Sequence, residues 1–277
     1  MKFIILNDTK KFHSGCAAVI KCIRRDLEDN GHEILQSVPG LQKNPEIDRN
    51  LYSKADALLV NGEGTMHHNW GNSMYFLLSM LEEAQMDEKK TFLINTVWQD
   101  MTNDYDHMLK KLDYLGVREV FSQKELKEKH DVNSNIHLDL SYHAFVVKER
   151  YGIFDLVSGQ FYGREPYRPK NARVINIFEM SWSRIVNLLS TTKILVTGSH
   201  HEMYAACRAR CPFIVLKGNS HKNEGLMATA EVKCEVLPMG ASDESIGDSI
   251  FNINYTEYRK LFDWMEEQKP FSIGNVI

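Results

Sequence analysis

The chain has 277 residues, with 33 Lys and Arg against 37 Asp and Glu, a net charge of −4 and a pI near 6.3. At 43 % hydrophobic and 25 % charged it excludes a disordered or fibrous protein. The slightly acidic balance also excludes the overall basic excess of a nucleic-acid binder.

The length allows one large domain or two of about 130–150 residues, with a core that needs no disulfide or metal staple. No run approaches the ~18 apolar residues of a membrane span. The opening run breaks at Asn7-Asp8, short of the ~7–15 apolar residues of a signal peptide. Cys16, Cys22, Cys207, Cys211 and Cys234 are odd in number and form no C-x-x-C pair. The expectation is reduced thiols in a cytoplasmic protein.

In chain order, residues 3–6 read as a buried strand. Apolar positions at Cys16, Val19, Ile20, Ile23 and Leu27 give an amphipathic helix closed by Asn30-Gly31. Strands at 33–38 and 57–60, a helix at 73–86, a strand at 92–97, a helix at 104–114, a strand near 120–121 and a helix at 122–130 complete the first half. Residues 148–170 mix charge, Gly, Pro and Tyr without periodicity and read as a crossing between domains. Beyond it the spacing predicts strand 173–178, helix 181–190, strand 194–197, helix 201–210, strand 213–217, helix 224–230 and strand 235–237. A final helix at 255–268 carries Tyr258, Leu261, Phe262 and Met265 on one face. Strands alternating with such helices predict parallel sheets covered on both faces. The expected architecture is α/β, with two Rossmann-like doubly wound halves facing across a cleft, 1–147 and 148–277.

Polar clusters follow four of the strands. Asn7 and Gly15 belong to a strand end, loop and helix start suited to an anion. Asn61-Gly62-Glu63-Gly64-Thr65-Met66-His67-His68 sets a carboxylate between glycines beside two imidazoles, groups able to move protons at sugar hydroxyls. Thr197-Gly198-Ser199-His200-His201-Glu202 and Lys217-Gly218-Asn219-Ser220-His221-Lys222 follow neighbouring strands and offer a seat for phosphate. Adjacent histidines generally point apart, so no metal centre is expected. Trp70, Trp98, Trp182 and Trp264 read as core or rim.

These segments resemble the polysaccharide pyruvyl transferase family, whose members have two Rossmann-like halves as in GT-B glycosyltransferases. The resemblance runs from Asn7 to about Leu226. It is carried by the opening loop with Gly15, by Val60-Asn61-Gly62-Glu63-Gly64, by Val117-Arg118 with Ser122, and by Leu138-Asp139-Leu140. Thr197-Gly198-Ser199-His200-His201 and Lys222 with Gly225-Leu226 complete it. It implies transfer of pyruvate from phosphoenolpyruvate to a sugar as a ketal, with His201 as acid and Lys222 on phosphate. The motif's arginine is Ser199 here, which removes a bidentate guanidinium.

The function expected is therefore a transferase that modifies or extends a cell-surface polysaccharide or its precursor. The alternatives are a GT-B glycosyltransferase using a nucleotide sugar and a non-catalytic glycan-binding relative. Glu63, His67 and His201 are the catalytic candidates. Asn7, Gly15, Gly62, Gly64, Thr65 and His68 are expected on the acceptor side. Gly198, Ser199, His200, Glu202, Lys217, Asn219, His221 and Lys222 are expected on the donor side, with Glu202 at a ribose hydroxyl. No cofactor is required beyond the donor, phosphoenolpyruvate or a nucleotide sugar. The partner is a glycan or lipid-linked glycan, without nucleic acid, and with only peripheral membrane contact.

Overall fold

A computed structural model describes residues 1–40, 45–69, 71–147, 154–169 and 172–277. Trp70, residues 148–153 and residue 170, which the sequence reading touches, lie outside the described residues. The chain divides into two compact units. One comprises Met1–Lys11, Ile20–Leu140 and Pro270–Ile277, the other Phe12–Val19 and Ser141–Lys269.

The first unit begins with β1 (Lys2–Asp8), of which six residues in succession are buried, as a parallel strand covered on both faces requires. Then come α1 (Ser14–Asp29), which belongs to this unit from Ile20 onward and to the second unit through Val19, β2 (Glu33–Pro39), α2 (Arg49–Lys54), β3 (Ala57–Asn61), α3 (Gly71–Met86) and β4 (Lys90–Thr96). The unit continues with α4 (Asp106–Leu109), β5 (Tyr114–Val117), α5 (Val120–His130) and β6 (Asn135–Ile136). The six strands pair in the order β2-β1-β3-β4-β5-β6, all parallel. Helix α3 buries Met74, Leu77, Leu78 and Leu81, the i, i+3, i+4, i+7 face its sequence displays.

Two expectations change here. The strand foreseen near 120–121 is the start of α5, and the strand itself is β5, which begins at the last residue of the helix read over 104–114 and continues through residues given no element. Glu119 decides the boundary: its carboxylate accepts the Phe121 and Ser122 amides as an N-cap.

The second unit holds β7 (Phe154–Ser158), β8 (Arg173–Val174), α6 (Trp182–Leu189), β9 (Thr192–Thr197) and α7 (His200–Ala209). It continues through β10 (Phe213–Leu216), α8 (Lys222–Thr229), β11 (Val236–Leu237), α9 (Asp243–Phe251) and α10 (Tyr255–Glu267). Its five strands are also parallel, in the order β11-β10-β9-β7-β8. Read from β8, this is the order of the first sheet's first five strands. The two α/β halves thus share a topology without a visible sequence repeat. Strand β7 lies inside the stretch that had read as a crossing, and it sits beside the sheet's centre. Among the described residues no helix is long and apolar enough to cross a membrane. None of the five cysteines is in a disulfide. Burial raises the Cys22 thiol to about 11 and the Cys207 thiol well above its ordinary value.

Candidate functional site

Ligands of open α/β sheets gather at the carboxyl ends of strands where the strand order reverses. That point lies between β1 and β3 in the first sheet and between β7 and β9 in the second. The polar clusters of the sequence fall at both.

In the first unit, asparagines end three adjacent strands. Asn7 and Asn95 adopt left-handed backbone, with φ of 61 and 55, a conformation asparagine tolerates. The Asn7 amide donates to the carbonyls of Asn61 (2.6 Å) and Glu63 (3.1 Å), and Asn95 donates to Asn61 Oδ1 (3.3 Å). Asn95 Oδ1 accepts the Leu140 amide at 3.2 Å. Glu63 is buried, and its Oε2 accepts from Thr9 Oγ1 (2.9 Å) and Asn61 Nδ2 (3.3 Å). Gly62 packs so closely that a Cβ there would lie 2.5 Å from Thr96 Oγ1. Gly64 turns with φ of 68, and Thr65 donates to the Gly62 carbonyl at 3.3 Å. Beyond the turn, His68 takes the Gln99 carbonyl (2.7 Å), which fastens this loop to the end of β4. The buried His67 ring meets His68 at 3.1 Å between their Nδ1 atoms, and His68 Nε2 lies 3.5 Å from Asp100. Arg118 and Asp139 form a buried ion pair following β5 and β6.

In the second unit, Glu202 is enclosed completely. Its Oε2 accepts from Thr197 Oγ1 (2.5 Å) and the Gln160 amide (2.8 Å), joining the ends of β7 and β9 to α7. Oε1 has no hydrogen-bond partner among the described residues. Burial raises this carboxyl to about 7, against the lowering effect of Thr197, the Gln160 amide and His201. Gly159 makes the arrangement feasible, because a Cβ there would come within 2.8 Å of Glu202 Cδ.

Helices α7 and α8 both start at this end of the sheet, and neither Ser199 nor His221 closes its helix with a side-chain cap bond. His200 Nδ1 meets Asn223 Oδ1 at 3.2 Å and so ties the two helix starts together. Lys222 is buried and donates from Nζ to Asn219 Oδ1 at 2.7 Å. Lys217 is exposed and pairs with Glu224 at 3.4 Å. A Cβ on Gly218 would sit 3.8 Å from the Gly198 carbonyl, so the loops after β9 and β10 lie side by side. Two helix starts without a side-chain cap bond and a buried ammonium are groups that complement negative charge.

The donor-side candidates thus gather in one unit, around α7 and α8. Asn7, Gly62, Glu63, Gly64, Thr65, His67 and His68 gather in the other. Gly15 parts from them: it belongs to the second unit, where a Cβ on it would fall 2.6 Å from His201 Cδ2. His13 and Cys16 come with it. The donor atoms of His13, Cys16 and His201 lie within 4.8 Å of one another, the three groups positioned to hold a metal ion. Sequence reasoning missed these two residues, along with Asn95 and Gln160, and named Thr197 in its cluster without giving it a role. The signal for Asn95 and Thr197 was the polar residue ending an apolar strand. For His13 no local pattern existed.

No family model matches the chain, and no curated protein matches it. Several solved structures do. The UDP-GlcNAc 2-epimerase from Neisseria meningitidis bound to UDP-GlcNAc is 13 % identical with a TM-score of 0.57, over 100 % of this chain and 97 % of that one. The spinosyn forosaminyltransferase SpnP is 12 % identical with a TM-score of 0.56, over 97 % and 95 %. The glycotransferase of kitacinnamycin is 10 % identical with a TM-score of 0.54, over 96 % and 93 %. At these identities the likeness gives the fold, two α/β halves of the GT-B kind.

Proposed function

We propose that this chain is a GT-B-type glycosyltransferase that binds a nucleotide-activated sugar in its second unit and delivers the sugar to a glycan acceptor of surface-polysaccharide synthesis. One observation carries the reading: the starts of α7 and α8, joined through His200 and Asn223, flank the buried Lys222 ammonium. Helix starts and a lysine neutralise phosphate charge, and a nucleoside diphosphate leaving group needs that neutralisation most as its bond to the sugar breaks. Two structures of like fold are named as glycosyltransferases, and an epimerase of like fold was solved with UDP-GlcNAc, which supports this donor class.

In this reading Lys222, His201 and the amides of the first turn of α7, residues 200–202, hold the donor phosphates, while the Gly198 and Ser199 amides are engaged by the Gln160 carbonyl and Thr197 Oγ1. Glu202 anchors the ends of β7 and β9 beneath them. Glu63, with His67 near it, accepts the proton of the attacking hydroxyl, and Asn7, Thr65 and His68 shape the acceptor side. Pyruvyl transfer from phosphoenolpyruvate is the second reading, favoured by the order of short motifs and opposed by Ser199, a small buried side chain where that chemistry expects a guanidinium.

Thermal stabilisation of the purified chain by CMP, UDP, GDP and phosphoenolpyruvate tests the choice. One nucleotide is expected to stabilise the fold, by about 2.7 kcal/mol at one hundred times its dissociation constant. Lys222→Gln should abolish most of that gain. Stabilisation by phosphoenolpyruvate alone, or by none of the four, overturns the reading.

A further inference from the structure

We infer that His13, Cys16 and His201 form a three-ligand site for a borderline-soft divalent metal ion, zinc being the best match. His13 and Cys16 lie either side of the first turn of α1, three positions apart, and His201 comes from the first turn of α7. Their ligand atoms lie within 4.8 Å of one another. The Cys16 Sγ to His13 Nε2 separation is 3.4 Å. Two donors bonded to one zinc ion at about 2.3 Å (sulfur) and 2.0–2.1 Å (nitrogen), at a tetrahedral angle, sit roughly 3.5 Å apart. The pair therefore already spans an edge of the required tetrahedron.

Three further features belong to a built site. Cys16 and His201 are buried at 3 % and 6 % exposure, so the ion would be held from within the fold rather than on its surface. The loop is fixed, since the Ser14 amide donates to the Ile177 carbonyl at 3.1 Å. Gly15, between the ligands, lies against His201, and any side chain there would push the imidazole away. Two imidazoles and a thiolate suit zinc, or copper and cobalt, over magnesium or calcium. Three protein ligands leave a fourth position open.

The proton balance is definite. In the metal-free chain His13 Nδ1 accepts the Cys16 amide at 3.3 Å, which keeps the ring proton on Nε2, facing the sulfur. On binding, the ion takes the place of that proton. Cys16 loses its thiol proton to solvent, the remaining His13 ring proton moves to Nδ1, and the long cap bond is given up. Metal uptake therefore releases protons and strengthens as pH rises.

Cobalt(II) titration of the reduced full chain, without nucleotide, tests the inference and keeps it separate from the donor reading. The expected result is a thiolate-to-cobalt charge-transfer band and tetrahedral d–d bands that saturate at one ion per chain and are displaced by zinc. Cys16→Ser should remove the charge-transfer band. His13→Ala, His201→Ala and Gly15→Ala should each weaken binding at least tenfold, while Cys22→Ser leaves the spectrum intact. Circular dichroism establishes that each variant folds. Absence of a band at one equivalent, or a band that survives Cys16→Ser in a folded variant, overturns the inference and leaves a hydrogen-bonded Cys–His pair.

Discussion

Replacing Glu202 with glutamine should make the protein more stable at alkaline pH and change little at acid pH. The amide is isosteric. Its oxygen can accept from Thr197 and the Gln160 amide as Oε2 does now, and its NH2 occupies the place of the unpartnered Oε1. The carboxyl is raised from 4.5 to about 7 by burial. Below 4.5 it is protonated in both folded and unfolded chains, and nothing is lost. As pH climbs from there to about 7, the unfolded chain gives up its proton while the folded chain keeps it, so stability falls. Above about 7 both forms are ionised, and the folded state carries a constant penalty of about 3 kcal/mol. Urea unfolding of both proteins from pH 5 to 9, followed by tryptophan fluorescence, reads the difference directly, because all other titrating groups cancel. The variant should exceed the wild type by less than about 1 kcal/mol at pH 5 and by about 3 kcal/mol at pH 8.5. Parallel curves for the two proteins across this range would refute the argument that Glu202 is held protonated by its enclosure.

Gly159→Ala should cost about 1–3 kcal/mol in denaturant unfolding, because the new methyl meets the Glu202 carboxyl. Asp139→Ala should cost about 3–5 kcal/mol by leaving the Arg118 guanidinium buried without its counter-charge. Lys222→Gln should weaken nucleotide binding by about 1.5–3 kcal/mol in calorimetric titration, the loss of a charged hydrogen bond to phosphate. Glu63→Gln should depress turnover by about 100-fold or more while leaving donor affinity unchanged, as loss of a general base requires.

The fold was legible wherever burial imposes a period on the sequence. The one-sided faces of α1, α3 and α10 and the apolar runs of β1, β3 and β9 each announce themselves. Strand β7 did not, because Phe154, Asp155 and Leu156 remain partly or wholly exposed and only Val157 and Ser158 are buried. Strand β5 was misplaced toward 120–121, since four residues ending in Gly116-Val117 are too few to establish a period of two. Both candidate clusters could be read because each polar run directly follows a buried strand. The alliance of Gly15 with His201 could not, as it depends on where α1 and α7 pack. Likewise Glu202 looked like a surface ligand group from its place in the first turn of α7. Its enclosure comes from Gly159 at the end of a strand the sequence concealed.

The central claim is that donor phosphates sit at the starts of α7 and α8. Hydrogen exchange of the full chain with and without the stabilising nucleotide locates the site most directly. Donor phosphates seated there should add protection at residues 198–202 and 217–224 that vanishes in Lys222→Gln. Protection confined to residues 61–69, or seen at 198–202 only with phosphoenolpyruvate, would contradict it.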